Sequence, residues 1–298
     1  MKPRQLIPDH EIIVILDTSP VRDLAFETIQ PSWIKTFSQM ARDGYSFSLA
    51  DAAAAELLNQ VRTGATALAA HQQAIEWIST FLNPEAPVLP GKMDLDGMIG
   101  LSEDWDVGEA RYIAAIAWKM LRDPLKPDAD GRPPFDLLLE EERNEWRLFF
   151  ARLRHLSFVS GLDVSKSDPA SVMEFLVDCV ARGYDKDSGV SPPPSIRRHL
   201  ELRYRIRQYI RTERTKEPYN PSAKKNRNDG IDIDLYHYLM LPAIIVAKDG
   251  GFYGSLNDID SFQKAWFMPP ERLAGEWLAG NQPHPEWPEV MVEDESED

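Results

Sequence analysis

Two kinds of apolar pattern alternate along the chain. Residues 12–16, Ile-Ile-Val-Ile-Leu, form an unbroken, mostly β-branched run that ends on Asp17, as a strand buried on both faces does. Ser19 and Pro20 fit the cap and first position of a helix, and residues 20–43 keep a helical apolar period. DGYSFSLA, 43–50, predicts a turn and a short alternating strand. Asp51 then fits the N-cap of a helix over 52–60, and a second helix follows over 65–82 with Leu68, Ile75, Ile78 and Leu82 on its apolar side. PEAPVLPG, 84–91, is a proline-punctuated connection with room for one short strand.

From 101 to 216 the pattern turns helical. Residues 106–121, 137–156 and 168–184 repeat their apolar positions at helical spacing, and a basic helix follows the loop 185–195. Residues 228–241, NDGIDIDLYHYLML, predict a helix with an acid-rich start. AIIVAKDGGF, 243–252, then repeats the opening theme, a β-branched run ending on Asp249. If these two runs are neighbouring parallel strands, Asp17 and Asp249 meet at their carboxyl ends, where open α/β sheets hold ligands.

Composition narrows the classes. The 298 residues, 43% hydrophobic and 10% aromatic, suffice for a full core in one large or two ordinary domains. One cysteine, Cys179, excludes an internal disulfide or a Cys-based zinc cluster and fits a reducing cytoplasm. The first residues lack the apolar core of a signal peptide, and the longest apolar run, 239–247, is far below the ~20 residues of a membrane helix. The expectation is a soluble cytoplasmic protein with no membrane partner. The net charge of −15 argues against nucleic acid, yet seven of the acids lie in 286–298 without one base, whereas 197–227 carries eleven Lys and Arg against three Glu.

The acids near element ends form one constellation. Alone, Asp17 serves equally as a helix cap, Asp249 as a turn residue and Glu56 as a solvated helix residue. Asp229, Asp232 and Asp234 complement a helix dipole, each worth ~0.3–1 kcal/mol, but that explains one or two of them rather than three followed by a strand-end Asp. Carboxylates converging on one edge repel unless a cation lies among them. Oxygen-only donors suit Mg²⁺ or Mn²⁺ rather than zinc. Such ions serve phosphodiester cleavage, with no histidine needed as base.

VILDTS (14–19), FSLADAAAAEL (47–57), NDGIDIDLYHYL (228–239) and AIIVAKDGGF (243–252) resemble, in order and spacing, the motifs of PIN-domain nucleases. The resemblance covers about 10–85 and 226–262. It implies a Rossmann-like three-layer α/β/α fold with a central parallel sheet and metal-dependent cleavage of single-stranded RNA. The nuclease core is then 10–100 with 226–262; residues 101–225 form a mainly helical insertion, and 263–298 a C-terminal extension with the acidic tail. Carried over, Asp17, Glu56, Asp232 and Asp249 are the catalytic, metal-binding acids, with Asp229 a further ligand and Asp234 outside the set. Thr18 or Ser19 positions Asp17 or a water. Lys248 stands where the family has Thr or Ser. Glu109, in DWDVGEARYIAAIA (104–117), is a rival for the third acid, read here as an ordinary helix N-terminal residue.

Arg203, Arg207, Arg211 and Arg214 recur at helical spacing along one face of the basic helix, with Leu202, Ile206 and Ile210 facing inward and Tyr204 and Tyr209 between the arginines. Ordinary helix charges of this kind pair with nearby acids. The low local acid content and the adjoining Lys224, Lys225 and Arg227 instead favour RNA backbone as partner, with the tyrosines stacking on bases. A protein regulator or a second copy is a further partner that the insertion could serve. Family members of this kind include toxins, RNA-processing factors and defence effectors, and no residue selects among them. Two other functions remain: a degenerate PIN-like module that binds RNA or protein without cleavage, and an aspartate-based phosphohydrolase of the haloacid-dehalogenase type. Ser19 opposes the latter, which needs an acid at that position.

Overall fold

A computed structural model describes residues 6–8, 10–89, 91, 95, 97–98, 105–126, 135–187, 195–215, 235, 238, 241–248 and 265–285, with side chains placed for 144–180 and 202–215 in the three long helices. The chain divides into two compact units. The first takes in Met1–Phe135, Tyr238–Gly251 and Phe262–Trp287; the second takes in Asp136–His237, Phe252–Ser261 and Pro288–Asp298.

The first unit is α/β, built on a four-stranded parallel sheet: β1 (Ile12–Leu16), β2 (Tyr45–Leu49), β3 (Ala243–Val246) and β4 (Phe267–Met268), in the order β2-β1-β3-β4. Leu82 and Val88 add parallel bridges to Phe47 and Leu49 along the outer side of β2. The 84–91 connection therefore does touch the sheet, though by one bridge at Val88 rather than a strand. Its polar fastening is local: Ser48 Oγ donates to Ala86 O at 2.6 Å, and Asn83 Nδ2 donates to Ser46 Oγ at 2.6 Å. Gly44, at φ 88°, supplies the left-handed turn into β2.

Register explains why β1 is apolar throughout. Val14 and Leu16 face the same way as Phe47, Leu49, Ile244, Val246 and Met268, in one core cluster. Ile13, Ile15, Ala243, Ile245 and Phe267 face the other way and are equally buried. A parallel strand covered on both faces cannot alternate. On the first face, Phe37 stacks on Phe47 with centroids 4.7 Å apart, and Phe81 meets Phe47 edge-on at 5.1 Å. Pairs of this kind add ~0.5–1.5 kcal/mol beyond area burial.

The helices differ from the sequence expectation at informative places. The single helix expected over 20–43 is three pieces: α1 (Thr18–Leu24), α2 (Ser32–Met40) and a 3₁₀ turn, Ala41–Asp43. Pro31 lacks an N–H and is itself extended, at ψ 144°, as the N-cap of α2, so the helix restarts after it. α3 (Asp51–Arg62) begins at Asp51 itself, with Ala50 as N-cap. α4 is Leu68–Ser79, and α5 (Val107–Arg122), capped by Asp106, packs on α3 and α4. The insertion thus does not begin at 101, because α5 buries Ala117 and Leu121 in the sheet's own core. Nor is 263–298 a mere extension. β4 covers the open edge of β3, and the next helix buries Leu273 and Ala274 in that core.

The second unit contains α6 (Phe135–Val159), α7 (Pro169–Asp187) and α8 (Ser195–Thr215). Trp146, Phe150, Leu153, Val172, Leu176, Val180, Ile206 and Ile210 form its described interior. The last helix of the chain, α9, is Pro270–Leu278 and belongs to the first unit. Among the described residues no helix is long and apolar enough to cross a membrane.

Candidate functional site at the carboxyl edge of the sheet

β1 is the central strand, flanked by β2 and β3, so its carboxyl end lies between two others. Asp17 follows it directly, and its N–H donates to Val246 O at 2.9 Å across the strand pair. Ala50, after β2, donates to Leu16 O at 3.0 Å on the other side. The three strand ends are thus in register at one edge. In open parallel sheets ligands bind outside that edge, where the chain order reverses between neighbouring strands.

Asp17 is the N-cap of α1, which corrects the expectation that Ser19 and Pro20 start the helix and leave Asp17 outside it. Its Oδ2 accepts Ser19 Oγ at 2.7 Å and Ser19 N at 3.3 Å. Capping satisfies an orphan N–H of the helix terminus, so the helix needs this side chain. Burial nevertheless pushes the carboxyl above the ordinary aspartate value. The Ser19 hydroxyl and the Thr18 and Ser19 N–H groups pull it down, and the charge of Glu56 adds to the upward push. Glu56, half-buried on α3, is therefore close enough to be felt at Asp17. Thr18, 3% exposed, has an Oγ1 without a hydrogen-bond partner among the described residues.

A third carboxylate on this edge escaped the sequence reading as a site residue. Asp51 lies two residues beyond β2, and its N–H donates to Tyr238 Oη at 3.0 Å. Gly91 backs it so closely that a Cβ there would lie 2.8 Å from Asp51 Oδ2. The available signal was the parallel between Leu16-Asp17 and Leu49-Ala50-Asp51, which the helix-cap explanation absorbed. Tyr238 also brings the far end of the 228–241 segment to the start of α3.

Of the remaining predicted acids, Asp229, Asp232, Asp234 and Asp249 lie outside the described residues, as do Lys224, Lys225 and Arg227. The predicted helix 228–241 lies outside them too, except for buried Leu235, Tyr238 and Leu241. Glu109 is an exposed first-turn residue of α5 whose N–H donates to Asp106 Oδ1 at 3.1 Å, in an ordinary capping arrangement. Among the described residues no three His, Cys, Asp or Glu side chains form a group that could hold a metal. A cleft of about 560 Å³, lined in part by Ile75, Glu76, Leu82, Trp118 and Arg122, lies elsewhere in this unit and includes neither Asp17 nor Glu56.

The basic helix α8 is committed largely to its own unit. Arg203 Nη2 donates to both carboxylate oxygens of Glu174, at 2.7 and 2.9 Å. Arg214 Nη1 donates to Ser167 O at 2.8 Å, and Arg205 lies over the Trp146 and Phe149 rings. Arg207 is half-buried and Arg211 exposed. Tyr204 and Tyr209 do not reach solvent as base-stacking groups would. Tyr204 meets Trp146 edge-on at 6.0 Å, Tyr209 meets Phe150 at 5.7 Å, and the Tyr209 hydroxyl lies 3.2 Å from Ser157 Oγ. The reason is that α8 packs on α7 while these two rings pack on α6, so it is covered on more than one face.

Comparison with protein-family models, with curated proteins and with solved structures returned no match.

Proposed function

We propose that the protein is a divalent-metal-dependent endoribonuclease of PIN-like, Rossmann-type α/β/α architecture, acting on single-stranded RNA at the carboxyl edge of its sheet. One observation carries this reading. Asp17 ends the central strand at a junction of three strand ends, and it stays there although burial and Glu56 both oppose its charge. A carboxylate held against desolvation is a functional-site candidate. The order of the 82–88 segment, β2, β1, β3 and β4, together with burial of both sheet faces, supports the architecture.

The residues present suit a hard cation. The donors are oxygens alone, burial and the charge of Glu56 push Asp17 toward protonation, and the buried Thr18 Oγ1 beside it is unpartnered among the described residues. Asp17 and Glu56 would hold the ion, with Asp232, Asp249 and Asp229 completing the set from outside the described residues. A bound Mg²⁺ or Mn²⁺ supplies Lewis acidity to a water and to the leaving oxygen of phosphodiester hydrolysis. The chain's own part is to fix the carboxylates: β1 and α1 hold Asp17, and α3 carries Glu56 to it. The RNA backbone is proposed to meet Arg207, Arg211, Lys224, Lys225 and Arg227, while Arg203 serves Glu174.

The test is incubation of the full chain with single-stranded RNA and DNA in Mg²⁺, Mn²⁺ or EDTA, beside Asp17→Asn and Asp249→Asn. Metal-dependent RNA cleavage lost in both variants supports the reading. Equal cleavage by wild type and variants places the activity elsewhere, and RNA binding without cleavage by wild type favours a non-catalytic module.

A further inference from the structure

Away from the sheet edge, the cleft of about 560 Å³ in the first unit is walled by α4, α5 and the 82–87 segment. Gln72, Ile75, Glu76 and Ser79 recur at helical spacing along the α4 wall, and Trp118 and Arg122, one turn apart, form the α5 wall. His71 Nε2 donates to Leu121 O at 2.7 Å and fastens the first turn of α4 to the last turn of α5. Trp118 packs on the sheet's core cluster yet stays half-buried, so part of its indole is covered and the rest lines the cleft.

The polar groups of the cleft divide into two sets. Ser79 Oγ donates to Glu76 O at 2.6 Å. Asn83 donates from Nδ2 to Ser46 Oγ, and its Oδ1 accepts the Glu85 and Ala86 N–H groups. These bonds hold the walls. By contrast, Gln72, the Glu76 carboxylate and the Arg122 guanidinium have no side-chain hydrogen bond or ion pair among the described residues. The acid next to Arg122, Asp123, is already taken by Lys126 Nζ at 2.6 Å.

The volume falls within the range of about 300–1,000 Å³ that ligand sites occupy. The walls offer an aromatic face, a carboxylate that only accepts and a guanidinium that only donates. A ligand that meets all three is planar, presents paired N–H donors and carries an anion. Guanine presents N1–H and N2–H side by side, which one carboxylate accepts together. The other RNA bases set an acceptor beside each donor on that edge. A phosphate suits the planar fork of an arginine, and an indole stacks on a purine. We propose that this cleft binds a guanine nucleotide, with Trp118 against the base, Glu76 on N1–H and N2–H, and Arg122 on the phosphate. Neither Asp17 nor Glu56 lines the cleft, so the site does not rest on the nuclease reading. The same chemistry belongs to a free nucleotide and to an unpaired guanine in a strand.

The experiment is isothermal titration calorimetry of the full chain in EDTA, which keeps any strand from metal-dependent cleavage. The titrants are guanosine monophosphate, adenosine monophosphate, guanosine, and an oligouridine strand with and without one central guanine. Wild type is compared with Glu76→Gln, Arg122→Gln and Lys119→Gln. All three positions are exposed, and circular dichroism confirms folding. Guanosine monophosphate should bind at least about tenfold tighter than adenosine monophosphate or guanosine. Glu76→Gln should abolish the preference for guanine over adenine, and Arg122→Gln the advantage of the phosphate. Lys119→Gln removes the same charge from α5 outside the cleft and should keep both. Equal binding of the two monophosphates overturns the proposal, as does an affinity that neither cleft variant changes. An equal loss in Lys119→Gln reduces the effect to net charge and also overturns it. Binding of the guanine strand alone, weakened by Glu76→Gln, supports the site and identifies a strand residue as its ligand. If neither the monophosphate nor the guanine strand binds, the proposal fails.

Discussion

At the carboxyl edge of the sheet, Asp17 keeps a carboxylate where burial and Glu56 both work against its charge, eased by Ser19 and two backbone N–H groups. On α8, Arg203 is matched by Glu174, Arg214 by the Ser167 carbonyl and Arg205 by two aromatic rings. Both regions are conspicuous as charge in the sequence. Charge that a fold neutralises inside itself serves stability, whereas charge held at an electrostatic cost marks a candidate site. That difference assigns the candidate chemistry to the sheet edge and most of the basic helix to packing.

The largest expected effect tests the first half of that comparison. A divalent ion contributes several kcal/mol of transition-state stabilisation, and at 1.36 kcal/mol per tenfold Asp17→Asn should slow RNA cleavage by about 100- to 1,000-fold. The same change should leave stability at neutral pH equal or higher, because it removes a carboxylate the folded chain prefers to protonate. The contribution of Asp17 to wild-type stability therefore falls as pH rises from the ordinary aspartate value of 3.8 through the raised one. Single-turnover cleavage and thermal melting check the two parts. A variant that loses both activity and stability would make Asp17 a helix cap and nothing more.

His71 supplies a structural control for a buried titratable group. It is 3% exposed, its Nε2 donates to Leu121 O at 2.7 Å, and burial lowers its pKa. The unfolded chain takes up a proton that the folded one resists, so stability is lost as pH falls below 6.5, down to the depressed folded value. The slope reaches at most ~1.36 kcal/mol per pH unit. His71→Gln keeps an amide donor for Leu121, and it should flatten the urea-melting stability profile below pH 6.5 without touching cleavage.

How much of this was legible depends on how local each cause is. β1 and β3 were readable because an unbroken β-branched run has few alternatives, and Asp17 because it ends one. β4 was not, since Phe267–Met268 is too short for any period and exists only because β3 has an open edge. The Ser19 bond to Lys248 joins residues far apart in the chain and has no local trace. The tyrosines misled for a different reason. Amphipathic patterning assumes one buried face, and α8 is packed on more than one.

Tyr209 tests that packing directly. Tyr209→Phe removes the hydroxyl beside Ser157 Oγ and leaves a buried serine without it, at a cost of about 1–2 kcal/mol. Affinity for single-stranded RNA, measured by fluorescence anisotropy, should not change. Tyr209→Ala is the less useful variant, since a lost ring disturbs the whole interior.

The smallest effect decides whether Arg203 belongs with the packing residues or with the exposed arginines. Its side chain is 11% exposed and Glu174's 63%, so removing the arginine frees a carboxylate that water can solvate. Arg203→Gln should therefore cost no more than the ~0.2–1 kcal/mol of a solvent-accessible pair. It should leave RNA affinity at the wild-type value, because the guanidinium already has its anion. Arg211, exposed on the same helix, should behave oppositely: Arg211→Ala leaves stability within ~0.5 kcal/mol, weakens RNA binding and lowers its salt dependence by about one phosphate contact. Urea melts and anisotropy at two salt concentrations measure both variants. Equal losses of RNA affinity would show that the Glu174 pair opens on binding, and Arg203 would then join Arg211 as a phosphate contact.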